Sequence, residues 1–280
     1  MRNGLATLSL GPVALNVAGL QAARDFYERA IGLEPLESLP GRELLGSGGS
    51  PVVELRASPD APARPPGTTG LFHLAVLQPD RASLGMSLQR LLDAGVPLDG
   101  ASDHLVSEAL YVRDPEGNGI EIYRDRPPGE WDWSGGEVAM ATLPLDLSGL
   151  LTGPAAPGAP GPARLGHVHL NVSDLAAATG FYTGVLGLDL TSASYPGAAF
   201  VSAGGYHHHF GLNTWNGAGA AQPPAGARGL ASVTVTVPGA GELEALAGRA
   251  AAAGVPAERD GGLLVLCDPD GVELRVQAAG

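Results

Sequence analysis

GPVALNVAGLQAARDFYERAIGLEPL (residues 11–36) and GHVHLNVSDLAAATGFYTGVLGLDL (residues 166–190) are two copies of one pattern. Each reads as a short strand, a helix carrying Phe-Tyr, then Gly-Leu and a returning strand. The first copy runs on through ELLGSGGSPVVELRAS (43–58) and the second through AFVSAGGYHHHFGLNTW (199–215). A second pattern is also present twice, as GLFHLAVLQPDRASLGMSLQRLLDAGVPL (70–98) and GLASVTVTVPGAGELEALAGRAAAAGVPA (229–257). Its copies end in LYVRDPEGNGIEIYR (110–124) and LLVLCDPDGVELRV (263–276).

The chain is therefore four units in the order A, B, A′, B′. Alternation in SVTVTV argues strand, and LGMSLQRLLDAG has apolar spacing for a helix that stops at a glycine. DPEGNG and DPDG are turn chemistry between two strands. Each unit reads as βαβββ, and one such unit is too small to bury both faces of its sheet. Two side by side give a curved sheet with helices outside and a concave inner face. The expected fold class is α+β, with four βαβββ modules forming two curved mixed-sheet cups. Modules A and B span 5–126 and modules A′ and B′ span 164–278. Between them, RPPGEWDWSGGEVAMATLPLDLSGLL (126–151) reads as a surface excursion without assignable structure, followed by the Pro/Gly/Ala linker GPAAPGAPGPA (153–163).

Composition narrows the function classes. With 280 residues, 44% of them apolar, a packed core is expected. A net charge of −13 repels phosphate backbones and anionic membranes, so nucleic acid and membranes are not expected partners. The single cysteine, Cys267, precludes an internal disulfide and a Cys-based zinc site, which suits a cytoplasmic location. Neither a signal peptide nor a membrane span is legible at MRNGLATLSLGPVALNV (1–17).

GHVHLNVSDL…FYTGVLGLDL and DHLVSEALYVRDPEGNGIEIYRDRP together resemble the vicinal oxygen chelate superfamily, which includes glyoxalase I, extradiol ring-cleaving dioxygenases and bleomycin-resistance proteins. The resemblance covers roughly 11–126 and 164–277. GYHHHFGLNTW, SDHLVSEALYV and DPEGNGIEIYRDRP point within it to the two-half catechol 2,3-dioxygenase type. It implies a divalent metal in a cup, held by side chains from unit-opening and unit-closing strands. On the opening strands, A has Pro12 where A′ has His167, and B has His73 where B′ has Ser232. On the closing strands stand Glu54 in A, Glu121 in B and Glu273 in B′, with no acid in A′. Pairing A with B, or A′ with B′, yields no set of two histidines and one carboxylate. Pairing B with A′ places His73, His167 and Glu121 in one cup, between residues 70–126 and 164–216, and leaves a degenerate partner cup. Such a set leaves open positions for substrate and oxygen at Fe(II), with Mn(II) as the alternative ion.

The resemblance also implies the surrounding roles. In ring-cleaving relatives the strand of the histidine run carries an HHT segment whose second histidine is the acid/base, which makes His208 the catalytic candidate; a slip of one residue would promote His209. Tyr111, ten residues before Glu121, matches a tyrosine that hydrogen-bonds a substrate oxygen, and His104 stands just before the same hairpin. His209 and His169 are the candidate substrate-binding residues, His169 because it shares a strand face with His167. The expected activity is extradiol ring cleavage of a small aromatic diol by O2. A glyoxalase-like metal-dependent lyase or isomerase and a metal-free drug-sequestering protein are the alternatives. Association into a homo-oligomer stays open.

Overall fold

The computed structural model describes residues 5–153 and 161–279. Module A comprises β1 (Ser9–Val17), α1 (Leu20–Phe26) prolonged by a turn of π-helix over Tyr27–Ile31, β2 (Glu34–Leu39), β3 (Arg42–Ser47) and β4 (Ser50–Ala57). Module B comprises β5 (Gly70–Gln78), α2 (Arg81–Asp93), β6 (Gly100–Asp103), β7 (Ser107–Arg113) and β8 (Gly119–Asp125). After it come a short strand β9 (Leu143–Pro144) and a short helix α3 (Leu147–Leu151). Module A′ is β10 (Arg164–Asn171), α4 (Leu175–Gly184), β11 (Asp189–Ser192), β12 (Ala198–Ser202) and β13 (Phe210–Asn213). Module B′ is β14 (Gly229–Val237), α5 (Ala240–Ala252), β15 (Ala257–Asp260), β16 (Leu263–Cys267) and β17 (Glu273–Ala278). Aspartates open three of the helices: Asp80 accepts from the Ser83 amide at 2.7 Å, Asp146 from the Gly149 amide at 2.9 Å, and Asp174 from the Ala177 amide at 3.0 Å.

The strands form two curved mixed sheets, in the orders β15-β16-β17-β14-β1-β4-β3-β2 and β11-β12-β13-β10-β5-β8-β7-β6-β9. Each sheet takes one module from each half of the chain: A joins B′, and A′ joins B. At the centre of each, two opening strands run antiparallel, β1 on β14 and β10 on β5. Each opening strand is flanked by its own closing strand in parallel, which requires the helical crossover that every module contains. The fold is thus α+β, with four βαβββ modules in two cups.

Other contacts run within each half instead. Arg90 of α2 donates to the Ile31 carbonyl at the end of α1's π turn, 3.2 Å, and Arg249 of α5 donates to the Val185 carbonyl after α4, 2.9 Å. The repeated Phe-Tyr and Asp-Pro motifs meet here. Tyr27 donates to Asp114 and Tyr182 to Asp268, both at 3.2 Å and both fully buried on the tyrosine side. Each aspartate in turn accepts backbone amides of its own turn, so the helix of one module clamps the hairpin of the next. Burial raises the Asp268 carboxyl to about 6.

The excursion is structured. β9 pairs with β6, extending the A′–B sheet, and Trp131 packs on Val106, Val138 and Tyr206 while its indole N–H donates to the Arg126 carbonyl at 3.0 Å. Of the expected linker at 153–163, residues 154–160 lie outside the described residues. No helix among the described residues is long and apolar enough to cross a membrane.

β10 carries an irregularity between Leu165 and His167. Gly166 sits in it, and a Cβ there would overlap the Tyr123 hydroxyl and lie 3.0 Å from Leu77 Cβ. Gly166→Ala is expected to destabilise the protein by about 1–3 kcal/mol through overpacking. The urea midpoint of unfolding measures this, and an unchanged midpoint would contradict the close fit.

Candidate metal centre

β5 and β10 present His73 and His167 into the cup they share, and β8 adds Glu121 beside them. The register fixes this geometry. Ala75 pairs with Glu121 on β8, so the carboxylate lies one step along the same face as His73. His73 Nε2 and His167 Nε2 lie 3.0 and 3.1 Å from the same oxygen, Glu121 Oε2. One ligand atom from each of the three falls within 4.8 Å of the others, and no other such group of three is found among the described residues. All three residues are at most 5% exposed.

Burying a carboxylate and two imidazoles is costly unless something satisfies them. His167 shares a hydrogen bond with Glu121, but His73 Nε2 is buried without a hydrogen-bond partner, its approach to the carboxylate being poorly aligned. An orphaned imidazole nitrogen, a second imidazole and a carboxylate converging on one point, with open space on the far side, fit a divalent cation. Burial opposes the Glu121 charge, yet His167 and His73 hold its carboxyl well below the usual range.

Above the three residues lies a cavity of about 390 Å³. Its floor is His73, Glu121, His167 and His169, and its walls include His208, Tyr111 and His104. Tyr111 is held well above the usual phenol range by burial and by the Glu121 charge, so it stays a neutral hydroxyl. His104 lies 2.6 Å from the Tyr111 hydroxyl through Nε2 and 2.7 Å from the Ala141 carbonyl through Nδ1. A carbonyl only accepts, so Nδ1 of His104 carries a proton; in the neutral ring Tyr111 then donates to Nε2, and the Tyr111 oxygen keeps lone pairs for the cavity. His169 is pressed by Phe72, Phe200 and Trp215, and its buried Nε2 has no partner. Burial keeps His169 and His208 well below the ordinary imidazole range, hence neutral.

The histidine run does not lie on a strand. β13 begins only at Phe210, and His207, His208 and His209 occupy the irregular link from β12. Strand alternation therefore does not sort them. His208 faces the cavity, with its ring 4.2 Å from that of His167. His207 turns to Asp125, 2.8 Å away. His209 is the correction: it is not part of the cavity wall and is not placed to bind substrate there. Its Nδ1 accepts from the Ser202 hydroxyl at 2.8 Å and the Ala203 amide at 3.3 Å, tethering the link to β12. Burial depresses it to about 3.

The register also re-aligns the closing strands. Ser232, the counterpart of His73, pairs with Glu273, whereas His73 pairs with Gly119. Arg275, not Glu273, is thus the counterpart of Glu121, and it pairs with Asp260 at 3.0 Å. In the A–B′ cup, Glu54 is held by Arg42 and Arg56. In A′, the counterpart of Glu121 is Gly211, which pairs with His169; a Cβ on Gly211 would meet the His169 ring at 2.8 Å. Of the two closing strands in this cup, only β8 carries a carboxylate at this position, and an imidazole lies over the place of a second.

Some walls were not legible beforehand. Met140, Ala141 and Thr142 come from the excursion, with Thr142 bonded to Tyr195 across the cavity at 2.9 Å. Their stretch has no periodicity to read. Phe72, Tyr195, Phe200 and Trp215 form an aromatic wall, and aromatic residues on strands and turns do not announce a pocket. Arg113 and Asp99, which pair at 2.7 Å, also line the cavity.

Comparison with known proteins places these features in context. The chain is 41% identical over 268 residues to a catechol-2,3-dioxygenase from Bacillus subtilis (strain 168), covering 93% of each chain. Among solved structures, a Bacillus subtilis protein with a provisional dioxygenase assignment superimposes with a TM-score of 0.69 at 16% identity, covering 99% of this chain and 86% of that one. Glyoxalase I from Zea mays does so with a TM-score of 0.62 at 17% identity, over 96% and 92%. The family model for the Glyoxalase/Bleomycin resistance protein/Dioxygenase superfamily matches residues 9–122 and 164–276. With four βαβββ modules and a His-His-Glu cluster in a cup, the chain belongs to that superfamily.

Proposed function

We propose that the protein is a cytoplasmic extradiol dioxygenase that opens a catechol-like aromatic diol with O2 at a two-histidine, one-glutamate non-haem Fe(II) centre. The functional unit is residues 70–126 with 164–216, and the A–B′ cup is its degenerate partner. The observation that carries this reading is the convergence of His73, His167 and Glu121 beneath a cavity walled by His208, Tyr111 and aromatic rings. His73, His167 and Glu121 would hold the ion, which when bound acidifies a catechol hydroxyl and supplies the redox chemistry with O2. The chain's own residues do the rest. Neutral His208 takes a proton from the diol and returns it to the opening product. The Tyr111 oxygen accepts from a substrate hydroxyl, and His104 holds Tyr111 in that orientation. His169 and the aromatic wall seat the ring.

A glyoxalase-like lyase in this family would call for a second carboxylate from the other closing strand. Gly211 stands there instead. Anaerobically prepared protein is assayed for metal content and then given catechol and O2. Bound iron with a yellow semialdehyde product is the expected result, and bound manganese with the same product changes only the ion. Zinc or nickel without oxygen uptake would favour the lyase, and protein that takes up no metal would favour a binding role.

A further inference from the structure

His207 is fully buried, lines no part of the cavity, and yet touches His208, the one histidine of the run that faces it. Its Nε2 lies 2.8 Å from Asp125 Oδ1, and its Nδ1 lies 2.7 Å from His208 Nδ1. We propose that Asp125 and His207 are positioning residues that fix His208 in one tautomer, with Nδ1–H turned inward and the Nε2 lone pair facing the cavity. This rests on the reading of His208 as the proton-transfer group.

Hydrogen-bond bookkeeping carries the assignment. An ionised carboxylate only accepts, so His207 donates to it through Nε2–H. The other nitrogen of a neutral His207 is then a lone pair. Two facing Nδ1 atoms at hydrogen-bond distance share one proton, and here it comes from His208. The remaining nitrogen of His208 is unprotonated, as a base requires; a base oriented by a second group, itself oriented by a third, is the logic of catalytic triads. The surroundings lock each member. Asp125 follows Glu121 by four residues on β8, so one strand face carries both a candidate metal ligand and the terminal acceptor of the chain. Tyr206 also donates to Asp125 Oδ1, at 3.2 Å, and Tyr123 bonds to Tyr206 at 2.7 Å. The His207 ring lies 4.1 Å from that of Tyr206 and 5.1 Å from that of Trp131. Thr191 donates to the His207 carbonyl at 2.6 Å. The excursion, which supplies Trp131, thus forms part of the housing.

Long-range ¹H–¹⁵N spectra of protein labelled in the histidine rings, recorded metal-free and with Zn²⁺ bound, read the tautomer without any turnover. The expected result is a protonated Nδ1 and an unprotonated Nε2 on His208, which would shift to mixed tautomers in His207→Leu. In ring-cleavage assays His207→Leu should lower kcat by roughly 10²-fold with KM unchanged. His207→Asn, whose side-chain oxygen can accept in place of Nδ1, should keep the tautomer and most of kcat. A His208 protonated on Nε2 in the unsubstituted protein would overturn the proposal. So would a Leu variant that keeps tautomer and kcat, or an Asn variant that falls as far as Leu. Should no diol be cleaved, the dioxygenase reading fails while the spectra still decide the tautomer.

Discussion

Glu121→Ala should lose its metal and, with it, all ring cleavage above background. Glu121 is the carboxylate that stands with the two candidate histidine ligands, and both lean on one of its oxygens. Without it, two neutral imidazoles remain to hold a dication in a largely apolar cavity. That leaves the charge uncompensated where compensation counts most. The same substitution at Glu273 should leave metal content at the level of the unsubstituted protein, because Glu273 belongs to the other sheet and pairs with Ser232. Metal analysis after anaerobic loading of the two variants makes the comparison. Full metal content in Glu121→Ala, or its loss in Glu273→Ala, would move the centre to the other cup.

His208→Phe should lower kcat by about 10²–10⁴-fold while metal content is kept. Phenylalanine preserves the aromatic contacts with His167 and Phe200, at 4.2 and 4.9 Å between ring centres, so the floor of the cavity stays packed. What it removes is a nitrogen that can carry a proton. His209→Phe should leave kcat within a few-fold, and its cost should fall on stability, since the tether to Ser202 and Ala203 is lost. Steady-state kinetics beside thermal melts separate the two, and a reversed pattern would make His209 the acid/base.

Much of the fold was legible because its signals are periodic and repeated. The Phe-Tyr helix and the Asp-Pro turn each occur twice, and Tyr27 with Asp114 and Tyr182 with Asp268 show why: they are two sides of one buried contact. His73, His167 and Glu121 could be picked out for a similar reason, since internal alignment places His73 and His167 at equivalent points of opening strands. The alignment of closing strands slipped at Glu273 because acid was matched to acid: counted without a gap from Asp114 and Asp268, Glu273 falls opposite Gly119 and Arg275 opposite Glu121, which is the register the strands adopt. The histidine run misled in another way. The run reads as part of a strand, yet it precedes one, in a link where His207 is held by Asp125 and Trp131 and the His209 side chain by Ser202. The excursion carried no pattern at all, yet Ala141 orients His104.

The exchange of modules between the sheets has a consequence for biosynthesis. As the chain leaves the ribosome, the first half carries His73 and Glu121 and the parallel partners of its opening strands, but neither antiparallel partner: β1 waits for β14, with Val13 opposite Val233, and β5 waits for β10. The nascent half therefore exposes the edge of β5 and an incomplete candidate ligand set until module A′ emerges, and the edge of β1 until module B′ follows, and contacts so distant in sequence form slowly. Metal capture is thereby deferred until the second half has been made. Two separately produced fragments, divided in the stretch between the halves, would each be poor metal binders and would regain the site only by assembling with one another.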